Sequence, residues 1–269
     1  IYTGEDTLSL HDALPISKIR GWLKPVKFVT TVHGTKKNKA IYAAGDAVIA
    51  VSQALTQGIP AEKAHVVYNG VYAQPALSDQ QKQSLKAEIY AQHAEMDRTQ
   101  KIVMCIGRLE PVKNISLLLK AMQGIDANLW IVGDGSLRAS LQAQAVQQQM
   151  QHQAAFLGFR TDARDLIQVA DIVVLSSDRE GFPLVMVEAL QADKAMASTK
   201  VNGVIEWLPE AYLAEIGQAD QLHQAIENAL SEQAESDYAP LFSRAKNELT
   251  VAAMTQQTLK IYEQLLLQA

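Results

Sequence analysis

The stretch Lys101-Ile102-Val103-Met104-Cys105-Ile106-Gly107-Arg108-Leu109-Glu110-Pro111-Val112-Lys113-Asn114 decides how this chain folds. Residues 101–106 form a nearly continuous apolar run, as a strand covered on both faces should. Residues 114–125 then place Ile115, Leu118, Leu119, Met122 and Ile125 on one helical face. A strand passing through a short loop into a helix is one βα unit, and the unit repeats downstream. Strands are predicted at 128–132, 154–158, 171–176, 195–198 and 212–216, and helices at 136–151, 162–170, 183–192, 220–232 and near 242–267. Upstream, 27–33, 46–52 and 65–68 read as strands, with helix candidates at 37–44 and 53–58. Residues 73–100 are polar and rich in Gln and Lys, and read as a linker carrying a helix. Repeated βα units imply parallel sheets with helices on both faces, and ligands in such sheets bind beyond the carboxyl ends of the strands.

Composition narrows the classes. The 269 residues are 48% hydrophobic and 20% charged, ordinary values for one large or two modest globular domains. The single cysteine, Cys105, supports no disulfide framework and fits a reducing, cytoplasmic compartment. No Cys or His cluster suggests a metal site, and no apolar stretch reaches the roughly 20 residues of a membrane span. The net charge of −5 is uneven. Residues 18–39 hold Lys18, Arg20, Lys24, Lys27, Lys36, Lys37 and Lys39 and no acid. Such a patch suits phosphates or an anionic lipid surface, or is a solvated basic face. Nothing points to nucleic acid. Residues 7–17, TLSLHDALPIS, resemble a translated sequencing adapter, so 1–17 is set aside and the natural start is expected upstream.

The loops after the strands hold the candidate chemistry. In the first, Arg108 offers a planar fork for phosphate oxygens and Lys113 a point charge, at a junction where helix N–H groups favour anions. Spacing alone leaves open whether they hold a diphosphate or are ordinary surface cations. The second loop runs Ser176-Ser177-Asp178-Arg179-Glu180-Gly181-Phe182-Pro183-Leu184-Val185-Met186-Val187-Glu188. Pro183 suits the first helical position and Gly181 permits close approach of backbone to a ligand. Glu180 and Glu188 are suited to gripping hydroxyls of a sugar and a ribose; equally, Glu180 suits a helix-dipole partner and Glu188 an exposed helix position. A third loop, Gly158-Phe159-Arg160, suits a nucleobase or a packed ring beside a surface cation. His33-Gly34 closes the first strand, and Val201-Asn202-Gly203-Val204-Ile205-Glu206 makes a turn into a short helix.

Together these residues resemble glycosyltransferase family 4, a retaining family of GT-B fold, from about Phe28 to the end. The resemblance implies two Rossmann-like α/β lobes: a partial acceptor-side lobe and linker at 18–98, a donor-binding lobe at 99–240, and a C-terminal helix at 241–269 packing back on the first lobe. The family's phosphate-binding Arg and Lys fall on Arg108 and Lys113, and its paired glutamates on Glu180, beside the donor sugar, and Glu188, on the ribose. Its front-lobe histidine matches His33. The implied catalytic residues are His33 and Glu180. The implied donor-binding residues are Arg108, Lys113, Phe159, Arg160, Gly181, Phe182, Leu184, Val185 and Glu188. The implied reaction moves a sugar from a nucleotide-diphosphate sugar to a glycan or lipid-linked acceptor of lipopolysaccharide or capsule type. Peripheral contact with the anionic inner membrane face is expected.

No Asp-x-Asp occurs, so no metal or other cofactor is expected. Two features depart from the family pattern. Asn202-Gly203 replaces the usual Gly-Gly, and QADKAMAS (191–198) is a weak version of the small-residue loop and strand. The glycine-rich loop of the front lobe is absent, which leaves donor binding without turnover as an alternative. A GT-B sugar-nucleotide epimerase is another. A nicotinamide dehydrogenase is disfavoured: Arg138 stands where the third glycine after Gly133-Asp134-Gly135 belongs, and no acidic residue ends a strand near 155.

Overall fold

The computed structural model describes residues 27–34 and 45–267. The adapter-like segment 1–17, most of the basic stretch and the helix candidate at 37–44 lie outside the described residues. Two parallel sheets organise the rest. The front sheet is β1 (Val29–Val32), β2 (Ala47–Ala50) and β3 (Ala64–Val66), in that order, followed by a linker. Helix α1 (Asp79–Gln92) then leads to the second sheet, and it starts where a reciprocal cap forms. The Ser78 side chain accepts from the Gln81 N–H, and the Gln81 side chain accepts from the Ser78 N–H.

The second sheet contains β4 (Lys101–Ile106), β5 (Ala127–Val132), β6 (Ala154–Gly158), β7 (Ile172–Leu175), β8 (Ala195–Thr199) and β9 (Leu213–Ala214). Its order is β6-β5-β4-β7-β8-β9, all parallel where paired. Between the strands run α2 (Ile115–Ala121), α3 (Arg138–Gln147), α4 (Ala163–Val169), α5 (Leu184–Gln191) and α6 (Ala219–Leu230). The central strands are buried on both faces: Ile102 to Cys105 and all of β5 are inaccessible. That two-sided burial is why their sequences run apolar without alternation. Each such Val, Leu or Ile contributes roughly 1.5–3 kcal/mol by leaving water. Helix α6 presents Leu222, Ala225, Ile226 and Ala229 to the core, one face at helical spacing.

Several elements are shorter than their apolar patterns predict. Helix α2 stops at Ala121 rather than 125, because Gly124 turns the chain in the left-handed region (φ 83°). Helix α3 begins after the turn at 135–137 and ends before Gln149, itself left-handed (φ 58°). Pro183 caps α5 from one residue outside rather than opening its first turn.

The single helix expected near 242–267 is two, α7 (Gln233–Glu248) and α8 (Val251–Leu267). The break is where the end of the front lobe crosses: Val71 N–H donates to the Leu249 carbonyl and Val251 N–H to the Val71 carbonyl. A Cβ on Gly70 would collide with the Thr250 backbone, so the crossing requires glycine. Beyond it, α8 lays Ile261, Met254 and Leu265 on Ala47, Ile49, Val67 and Val29 of the front sheet. On the sheet's other face, Val32, Val48, Ala50 and Leu55 join the core of the second lobe.

Candidate active site

Strand order reverses beside β4. The chain adds β5 and β6 on one side of it, then returns to place β7 on the other. A crevice opens at such a switch point because the two loops leave in opposite directions. The loops there are 107–114 and 176–183, the two that carry the sequence motifs.

Backbone geometry sets the first loop. Gly107 N–H donates to the Val132 carbonyl and Leu109 N–H to the Asp134 carbonyl, so the loop follows the end of β5. The approach is so close that a Cβ on Gly133 (φ 134°) would meet the Gly107 carbonyl oxygen. The loop ends in a short turn of 3-10 helix, Pro111–Lys113. Asn114, left-handed at φ 44°, then caps α2 by accepting from the Leu117 N–H.

The two loops are laced together. Asp178 N–H donates to the Val112 carbonyl at 2.8 Å, Ser176 Oγ to the Lys113 carbonyl at 2.8 Å, and Asn114 Nδ2 to Asp178 Oδ1 at 2.8 Å. Within that frame Lys113 Nζ donates to Glu180 Oε1 at 2.6 Å, and Ser177 Oγ donates to the same oxygen at 2.7 Å. Thr199 Oγ1 holds the Ser177 carbonyl from β8.

The front lobe closes over this pair through Gly181. A Cβ there would collide with the His33 carbonyl oxygen, so only glycine allows the approach. His33 therefore adjoins the Glu180 loop. Its ring is exposed, yet desolvation on its covered side lowers its pKa and favours the neutral imidazole. Gly203 (φ 78°) also packs on Gly181 and Phe182, too close for a Cβ, which places the Asn202-Gly203 turn against the same loop.

The remaining candidates have varied surroundings. Arg108 acts on Glu110, which Ser136 holds through both its N–H and its hydroxyl. Phe159 is 77% exposed. The Arg160 guanidinium is engaged elsewhere, by Asp162 at 2.8 and 2.6 Å and by Glu88 at 2.7 Å. The Phe182 ring is buried and stacks on Tyr68 at 5.0 Å, so it packs between the lobes. Leu184 is half exposed and Val185 partly buried. Glu188 lies one turn into α5 with Arg164 Nε at 3.4 Å; burial pushes its carboxyl up and Arg164 opposes that shift.

Sequence reading missed the groups that join the lobes. Glu206 accepts from the backbone N–H groups of Gln53 at 2.9 Å and Ala54 at 3.2 Å, capping the front-lobe turn Gln53–Thr56 whose own Ser52 gives no side-chain cap. Tyr68 meets Trp207 edge-on at 5.6 Å, and Arg244 lies 3.9 Å above the Trp207 ring. Asn69 Nδ2 donates to the Phe182 carbonyl. Only the capping preference of acids at helix starts signalled Glu206, and its partners lie more than 150 residues away.

Two parallel-sheet lobes meeting over a switch-point crevice define a GT-B protein, and the solved structures agree. HepE of Anabaena, crystallised with UDP, matches with TM-score 0.83 over 94% of this chain and 76% of that one, at 20% identity, a likeness of fold. The family of glycosyl transferases group 1 matches residues 86–246, and the chain belongs to it. The N-acetyl-alpha-D-glucosaminyl L-malate synthase of Bacillus anthracis is 27% identical over 83% of this chain and 66% of its own length. An Escherichia coli galactosyltransferase, which by its name transfers from UDP-Gal to alpha-D-GlcNAc-diphosphoundecaprenol, is 26% identical over 61% of this chain and 44% of its own. The chain spans 43% to 66% of the length of the first curated relatives it matches.

Proposed function

We propose that this chain carries the donor site of a retaining glycosyltransferase that moves a hexose from a nucleotide-diphosphate sugar, a UDP-sugar by preference, to a glycan or lipid-linked acceptor. The observation that carries the reading is the Lys113–Glu180 pair, held at 2.6 Å at the switch point and roofed by His33 through Gly181. Group 1 membership and the UDP complex of the Anabaena protein support the donor class. The diphosphoundecaprenol acceptor in the name of the Escherichia coli relative supports a lipid-linked acceptor.

The chemistry follows from charge. Breaking the bond between the anomeric carbon and the diphosphate builds negative charge on the leaving oxygen. Arg108 and Lys113 stabilise that charge from fixed positions, which lowers the barrier more than mobile water does. Lys113 is paired with Glu180, so a diphosphate that takes the ammonium releases the carboxylate. Glu180 then accepts hydrogen bonds from donor-sugar hydroxyls, and Glu188 from the ribose. The acceptor hydroxyl attacks the anomeric carbon from the side that the diphosphate leaves, and its proton passes to the departing phosphate oxygen; configuration is retained. The chain's own cations carry the charge, and we assign no divalent metal or other cofactor a part.

Among the described residues no helix is long and apolar enough to cross a membrane. We assign the protein to the cytoplasm, with the basic segment 18–39, largely outside the described residues, meeting an anionic membrane face. Calorimetry with a panel of nucleotides and nucleotide sugars tests the donor site. Lys113→Ala is expected to weaken even the bare nucleoside diphosphate by about tenfold, and Glu188→Ala to weaken every ligand that has a ribose. Wild-type affinity in both variants would remove the assignment.

A further inference from the structure

The loop QADKAMAS departs from the small-residue pattern at Asp193-Lys194, and the structure gives that departure a setting. Asp193 is left-handed (φ 56°), closing α5 tightly before β8 and turning Lys194 toward α1. A cavity of about 390 Å³ lies there, between the linker, α1, α4, α5 and the α7–α8 break. Its charged lining is Lys82, Arg164, Glu188, Asp193, Lys194 and Lys246, four cations against two carboxylates. The carboxylates are engaged: Glu188 by Arg164 at 3.4 Å and Asp193 by Lys246 at 2.6 Å.

Lys82 and Lys194 have no hydrogen bond or ion pair to another described side chain. Lys194 is partly buried and its pKa is lowered, first by that burial; Asp171 and Asp193 favour its charge, Lys82 and Lys86 add like charge, and neither carboxylate makes an ion pair with it. A half-covered ammonium without a partner is unfavourable unless something anionic joins it. The walls are built to hold shape: Leu77 N–H donates to Gln168 Oε1, Gln168 Nε2 to the Pro75 carbonyl, and Gln74 Nε2 to Asp165. Glu188 is the only residue common to this cavity and the candidate donor set.

We propose that this cavity is a second anion site, taking a doubly charged phosphate group between Lys82 and Lys194. Ammonium groups are compact point charges suited to tetrahedral anions, and a dianion matches the two cations left unpaired. The site bridges the inter-lobe linker helix to the donor-side lobe, without the 107–114 or 176–183 loops.

Calorimetry at low ionic strength with inorganic phosphate and with glycerol 3-phosphate tests it. Saturable phosphate binding is expected to persist in Lys113→Ala, to weaken about tenfold or more in Lys194→Gln and in Lys82→Gln, and to survive in Lys194→Arg. Equal affinity for the two probes assigns free phosphate, and tighter glycerol phosphate assigns a phosphate ester. Thermal unfolding supplies the folding control. Without phosphate, Lys194→Gln is expected to unfold no earlier than wild type, and phosphate is expected to raise the midpoint of wild type, Lys113→Ala and Lys194→Arg more than that of Lys194→Gln. Phosphate binding lost in Lys113→Ala but unchanged in Lys194→Gln and Lys82→Gln, or no saturable binding in wild type, would overturn the proposal.

Discussion

Nζ of Lys113 and Oε1 of Glu180 lie 2.6 Å apart across the switch point of the second sheet, with side chains only 22% and 13% exposed. In so covered a place the pair is stronger than a surface ion pair, and Ser177 donates a further hydrogen bond to the same oxygen. A diphosphate competing for Lys113 must first open this contact.

Glu180→Gln therefore separates binding from chemistry. Removing the competing charge leaves Lys113 free for the phosphates, so affinity for a nucleoside diphosphate is expected to rise several-fold. Release of sugar from the intact donor is expected to fall by about two orders of magnitude. Calorimetry and a nucleotide-release assay read the two effects. An unchanged nucleotide affinity would mean that the pair need not open.

Gly181→Ala addresses the contact with the front lobe. The added methyl meets the His33 carbonyl oxygen, so the lobes or the loop must shift by on the order of 1 Å. Turnover is expected to drop about 100-fold, while binding of nucleoside diphosphate changes by less than about threefold. The split between the kinetic and calorimetric results is the measurement; equal losses in both would place the damage in the phosphate site instead.

Glu206 is a cap supplied across the lobes. Glu206→Ala orphans the N–H groups of Gln53 and Ala54 and is expected to destabilise the protein by about 1–2 kcal/mol in urea unfolding. Tyr68 shares this cluster: burial first and the neighbouring Glu206 carboxylate next push its phenol pKa up. Tyr68→Phe is expected to cost less than Glu206→Ala, and the two changes together less than their sum, because they remove parts of one network.

Glu188 predicts a pH dependence. Burial raises its carboxyl above the ordinary value of 4.5, so between that value and the folded pKa the native state holds the proton more tightly than the unfolded chain. Stability then falls as pH rises through the window, and the loss persists above it. Glu188→Gln is expected to remove that fall. Urea midpoints of the two proteins, measured from pH 4 upward, should diverge in favour of the variant; parallel curves would show that Arg164 cancels the burial.

Much of the fold was legible because burial writes itself into local pattern. The unbroken apolar runs of β4 and β5 report two covered faces, and Leu222, Ala225, Ile226 and Ala229 report one helical face. Gly181 marked its loop because a close approach restricts residue type at the spot. Helix ends were less legible. The stretch 242–267 has a helical pattern throughout, and it breaks at Leu249-Thr250 only because Val71 and Gly70, distant in sequence, cross there.

By itself, then, the sequence determined the α/β layering and which loops hold the charged residues, since each depends on neighbours within a few turns of chain. Tertiary structure alone decided which loops meet. That β4 lies beside β7, and so Lys113 beside Glu180, is a matter of strand order. The same holds for the Glu206 cap, the engagement of Arg160 by Glu88, and the meeting of Lys82 and Lys194 in one cavity. Contacts of this kind join groups far apart along the chain, and no local periodicity encodes them.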